Sequence, residues 1–91
     1  LQATPSLMTT AQEHRALMLD LLKAGHPVPR PLEWLLRQAQ RAGDAITEAQ
    51  ARSALAYLTD KALVRAERTA VNDERWVITA AGIDALERNE I

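Results

Sequence analysis

The hydrophobic period of this chain changes twice between Ile46 and Leu86, in the run ITEAQARSALAYLTDKALVRAERTAVNDERWVITAAGIDAL. Thr47 and Gln50 stand three apart, as a helix-starting capping box requires. Ala51, Ala54, Leu55 and Leu58 follow at helical spacing. Past Lys61-Ala62 the period becomes extended through Leu63-Val64-Arg65-Ala66-Glu67-Arg68. Ala70 to Glu74 has the polar composition of a hairpin tip, and Arg75-Trp76-Val77-Ile78-Thr79 returns as a β-branched and aromatic strand. Helical spacing then resumes to Leu86. A helix, a two-stranded hairpin and another helix in immediate succession leave few folds open.

The first half adds two helices. Thr10 and Glu13 form a second capping-box pattern, followed by a stripe of His14, Leu17, Met18, Leu21 and Leu22. His14 opens that stripe and reads as a histidine at the edge of the core. Leu19 falls off it. Gly25 is placed to supply a left-handed closing residue, with His26-Pro27 preventing continuation. Pro27, Pro29 and Pro31 make a stiff connector, and Pro31 suits the first turn of the next helix. Leu32, Leu35, Leu36 and Ala39 are that helix's inner stripe, with Gly43 ending it. Trp34 points to the opposite side, where an indole either tucks under a neighbouring arm or wing, the favoured reading, or stands exposed as a contact residue. Ala45-Ile46 reads as a short strand before the third helix. We expect residues 1–8 to be a flexible arm and 9–91 one domain. The chain opens on Leu1, as expected of one trimmed or cut from a longer protein.

Composition narrows the function. With no cysteine, disulfides and thiolate metal sites are excluded, which suits a reducing cytoplasm. His14 and His26 do not share a helix turn, so we expect no metal and no cofactor. No apolar run reaches membrane-spanning length, and no signal pattern is present. Nothing resembles a nucleophile with its base, or a glycine-rich phosphate loop. Asp84 and Glu87 read as solvated helix charge. We expect a binding module rather than an enzyme.

At this level the residues resemble a known fold family. Leu58-Thr59-Asp60-Lys61-Ala62-Leu63-Val64 is similar to the helix-to-wing junction of bacterial winged-helix regulators. Trp76-Val77-Ile78-Thr79-Ala80-Ala81-Gly82-Ile83 is similar to their wing-to-last-helix junction. MarR- and PadR-type regulators are the nearest broad groups. Small winged-helix proteins of Mu-like prophages share the length and the proline-rich start of the second helix. The resemblance covers roughly residues 10–88. It implies an α+β, mostly helical winged helix, with a three-helix core, a β-hairpin wing and a C-terminal helix. One departure stands out: the family's glycine at the helix-to-wing junction is here Ala62. Alanine in the left-handed conformation common there costs about 1 kcal/mol.

The resemblance implies double-stranded DNA binding by a transcriptional regulator of bacterial or prophage origin, with the third helix in the major groove. On that reading Gln50 is placed to read adenine and Arg52 guanine. Ser53 and Tyr57, with Arg65, Arg68 and Arg75 of the wing, are phosphate candidates. Arg30, Arg37 and Arg41 supplement them. Arg65 and Arg68 differ by an odd number, so they face opposite sides of their strand. Charge weighs against this reading. The whole chain carries eleven basic and twelve acidic residues, for a net charge of −1. Between residues 47 and 79, Arg52, Lys61, Arg65, Arg68 and Arg75 are balanced by Glu48, Asp60, Glu67, Asp73 and Glu74. The alternative is a protein-docking or homodimerising winged helix without DNA contact. It would use the small face of Ala49 and Ala56 beside Tyr57, with Trp34 and Leu19 as further contacts.

Overall fold

A computed structural model describes residues 10–70 and 73–90. The elements are α1 (Ala11–Gly25), β1 (Arg30–Pro31), α2 (Leu32–Arg41), α3 (Glu48–Asp60), β2 (Val64–Ala70), β3 (Asp73–Ile78) and α4 (Ala80–Arg88). The three strands form one antiparallel sheet in the order β1-β3-β2. The expected arm at residues 1–8 lies outside the described residues, as do Val71 and Asn72 of the expected hairpin tip.

Both capping boxes close. The Glu13 N–H donates to Thr10 Oγ1 at 3.1 Å, and the Thr10 N–H to Glu13 Oε1 at 3.1 Å. At α3 the Gln50 N–H donates to Thr47 Oγ1 at 3.1 Å, and the Thr47 N–H to Gln50 Oε1 at 2.9 Å. The helices enclose a core of Met18, Leu19, Leu22, Leu35, Leu55 and Leu58, onto which Val64, Trp76 and Ile78 fold from the wing. Leu19, expected as a surface contact, is fully buried. The reason is that α1 packs on α2, α3, α4 and β3 together, so its apolar arc is wider than a single stripe.

The short strand is also displaced from its expected place. Ala45-Ile46 forms none; β1 is Arg30–Pro31, with Arg30 opposite Trp76 and Pro31 opposite Arg75. Proline has no N–H to give a ladder, and an edge strand tolerates that. Ile46 instead packs on the core just before the Thr47 cap.

Three helices end alike. After α2 the Gly43 N–H reaches Gln40 O and the Asp44 N–H reaches Ala39 O, both at 3.0 Å. After α3 the Ala62 N–H reaches Thr59 O at 3.0 Å and the Leu63 N–H reaches Leu58 O at 2.9 Å. After α4 the Asn89 N–H reaches Leu86 O at 3.1 Å and the Glu90 N–H reaches Ala85 O at 2.9 Å. Each is a Schellman closure around one left-handed residue: Gly43 at φ 83°, Ala62 at φ 61° and Asn89 at φ 58°. Ala62 therefore adopts the glycine conformation with a Cβ in place. Gly25 does not close α1 in this way. It lies buried within the helix, where a Cβ would come 2.9 Å from Arg30 Nε and 3.3 Å from Trp34 Cη2.

The wing is fastened to α4 through Thr79. Its N–H donates to Leu63 O at 3.0 Å. Its Oγ1 stands 2.8 Å from Ala62 O and 3.0 Å from Leu63 O, sharing one proton between them. The same Oγ1 accepts the Gly82 N–H at 3.1 Å, capping α4. A Cβ on Gly82 would overlap the Leu63 carbonyl oxygen and lie 2.7 Å from Ile78 Cγ1. The Thr-Ala-Ala-Gly sequence is thus a close-approach device between helix and wing.

Candidate nucleic-acid interface

The inner side of α3 is Ala51, Ala54, Leu55 and Leu58, which are buried, so the helix turns Ala49, Ser53, Ala56 and Asp60 outward. All four are exposed, Ala49 and Ser53 bordering a cleft against α1, and Ala56 and Asp60 one against the wing. One flank of this face, carrying Glu48, Arg52 and Thr59, looks toward α2 and the wing. The other, carrying Gln50 and Tyr57, looks toward the start of α1.

Two candidates on α3, Gln50 and Arg52, have local commitments. Gln50 Oε1 is held by the Thr47 N–H. A bidentate grip on adenine needs that oxygen as well as the amide nitrogen, so it would open the α3 cap, at about 1 kcal/mol. The amide N–H₂ alone is left for a DNA acceptor. Arg52 Nε donates to Glu48 Oε2 at 3.1 Å, one turn away. That bond leaves the outer fork of the guanidinium pointing to solvent. Ser53 is exposed at the centre of the face.

The wing register decides which arginines share a surface. Val64 pairs with Ile78, Ala66 with Trp76 and Arg68 with Glu74, and this face looks across the cleft to α3. Arg65, Glu67 and Arg75 lie on the other face, where Glu67 is directly opposite Arg75. Arg65 and Arg68 are thus on opposite sides, as their spacing requires. Arg65 Nη2 donates to Glu67 Oε2 at 2.7 Å, with Nε on the same oxygen at 3.1 Å. Arg75 Nε donates to Asp73 Oδ1 at 3.0 Å. Arg68 has no ion pair among the described residues. Exposed pairs of this kind are worth about 0–1 kcal/mol each, so they hold an orientation without locking it.

The cleft between the starts of α2 and α3 and the wing is lined by Glu33, Glu48, Asp73 and Glu74 against Arg52, Arg68 and Arg75. Four carboxylates to three guanidiniums give phosphate no net attraction there. Arg30 is not free to supplement them. Its guanidinium stacks on the Trp34 ring, with Cζ 4.6 Å from the centroid, and Nε is buried without a partner. Arg37 and Arg41 are exposed on α2.

Against known proteins, a solved structure aligns with this fold. The ferric uptake regulator of Francisella tularensis, in a structure with iron, is similar to this chain at a TM-score of 0.68. The alignment covers 98% of this chain and 81% of that one, at 10% sequence identity. This chain has the winged-helix fold. No protein-family profile and no curated protein matches it. Among the described residues there is no cluster of three or more His, Asp or Glu able to hold a metal ion.

The residues of the docking alternative do not form one patch. Ala49, Ala56 and Tyr57 are exposed on α3, whereas Leu19 is in the core. Trp34 is half-buried against Arg30 and Gly25, at the far end of α1 from Arg15 and Tyr57. Ten residues of helix separate Arg15 from Gly25, roughly 15 Å. Sequence reasoning missed Arg15, whose guanidinium lies over the Tyr57 ring with Cζ 3.9 Å from the centroid. No local motif announces a contact between different helices.

Proposed function

We propose that this winged helix binds double-stranded DNA and serves a transcriptional regulator of bacterial or prophage type, in keeping with its resemblance to MarR, PadR and Mu-like proteins. The observation that carries this reading is the outward face of α3. Ala49, Ser53 and Ala56 are small and exposed, and the wing stands to one side. A helix bearing such a face fits a major groove about 12 Å wide. Arg52 is the guanine-reading candidate, already oriented by Glu48. Ser53, the Gln50 amide N–H₂ and the Tyr57 hydroxyl are the polar contacts around it. The charge-balanced wing predicts modest affinity, with little phosphate attraction supplied from the wing side. Operator recognition by such a module uses two copies on two half-sites.

The test is a duplex titration. Binding that weakens with salt and falls with Arg52→Ala, while the fold is retained, supports the reading. Absence of binding to any duplex at low salt sinks it. One observation favours the second reading, a docking or homodimerising module: Tyr57 is 39% exposed at the edge of a cleft floored by Ala11, Ala49 and Ala54.

A further inference from the structure

The two flanks of α3 differ in charge. On the wing side every arginine in the cleft lies among carboxylates, and Arg52 and Arg75 are ion-paired. On the α1 side the cleft is lined by Ala11, His14, Arg15, Gln50, Ser53 and Tyr57 among others, with no carboxylate. Arg15 Cζ sits 3.9 Å above the Tyr57 ring, and Lys61 Nζ is 5.6 Å from the same centroid. Neither cation has an ion pair among the described residues. Arg15 Nε also donates to Ala11 O at 3.3 Å, so the guanidinium is held from its own helix while its outer nitrogens have no hydrogen-bond acceptor among the described residues. Two cations gathered on one exposed aromatic ring, beside the small outward face of α3, form a positive site with no ion pair among the described residues. Their stacking on Tyr57 reduces the freedom that a phosphate would otherwise have to freeze.

We infer that Arg15 and Lys61, organised by Tyr57, grip the DNA backbone on the α1 flank of α3, and that the wing arginines Arg65 and Arg75 contribute little. This rests on the DNA-binding reading and names the phosphate-contacting side of that interface. The occupant is a duplex phosphate strand rather than a protein, because two cations with open donors and no carboxylate in the adjoining cleft complement a polyanion. Phosphate contacts of this kind fix register and leave sequence reading to the face beside them.

The test compares two double variants of the whole chain on one labelled random duplex across a salt series. Arg15→Gln with Lys61→Gln should weaken binding by about tenfold or more and lower the salt slope by about two. Arg65→Gln with Arg75→Gln should change affinity less than about twofold. Lys61→Gln alone, which removes no contact within the core, should lower the slope by about one, so a folding defect in the double variant does not decide the matter. The reverse pattern, with the wing pair dominant, overturns the inference and leaves DNA binding standing. If the unaltered chain binds no duplex, the function falls first. A Tyr57-dependent dimer in its place would assign this site to protein docking.

Discussion

Replacing Ala62 by glycine should stabilise this domain, and the size of the gain follows from three helix ends with the same hydrogen bonds. Gly43, Ala62 and Asn89 all sit left-handed in Schellman closures. Glycine adopts that conformation freely and asparagine readily, while an ordinary L-residue is disfavoured by about 1–2 kcal/mol. Ala62 is exposed, so its methyl contributes little burial to offset this. Glycine gives back part of the gain through its greater freedom in the unfolded chain, leaving about 1 kcal/mol. At about 2.1 cal/mol/K of unfolding entropy per residue, a domain of this size should gain about 5 °C in Tm. The mirror variant is Gly43→Ala. A Cβ there meets nothing within 4 Å, so its whole effect is conformational, and about 1 kcal/mol should be lost. Urea melts followed by circular dichroism would read both, with m unchanged. An Ala62→Gly protein no more stable than the parent, with Gly43→Ala equally silent, would refute the reasoning.

Other perturbations test the fastening of the wing and the corrected core. Gly82→Ala drives a methyl into the Leu63 carbonyl, and should cost about 3 kcal/mol or more in a urea melt, or prevent folding. A Tm within a degree or two of the parent would contradict the close approach. Thr79→Val removes the α4 cap and the donation to Ala62 O and Leu63 O, at about 1–2 kcal/mol, whereas Thr79→Ser should retain most of the stability. Leu19→Ala should cost about 2–5 kcal/mol and leave the oligomeric state unchanged, as read by light scattering.

What the residues disclosed in advance was local or periodic. Thr10 with Glu13 and Thr47 with Gln50 each announce a helix start, because a cap involves only residues three apart. Ala51, Ala54, Leu55 and Leu58 show the inner side of α3, since one helix face repeats every three to four residues. The Thr79-Gly82 pair pointed to the wing junction, though its reason, the Leu63 carbonyl, lies sixteen residues back. What stayed hidden depends on neighbours distant in sequence. Leu19 is buried because α1 is touched from four sides, and a single-stripe reading has no access to that. β1 falls on Arg30–Pro31 rather than Ala45-Ile46 because pairing with Trp76 and Arg75 decides it, against proline's weak strand preference. Gly25 looked like a helix terminator, yet its requirement is space for Arg30 and Trp34. The interface arginines were visible as residue types, but not the carboxylates that hold Arg52, Arg65 and Arg75, nor the meeting of Arg15 with Tyr57.

The central claim is that the outward face of α3 enters duplex DNA. Fluorescence anisotropy of a labelled random duplex, titrated with the chain and with Ser53→Glu at about 50 and 200 mM salt, measures it most directly. The account predicts saturable binding at the lower salt that weakens at the higher, and loss of that binding when a carboxylate is set at the centre of the face. Failure to bind the duplex even at low salt would contradict it, as would binding that Ser53→Glu leaves intact.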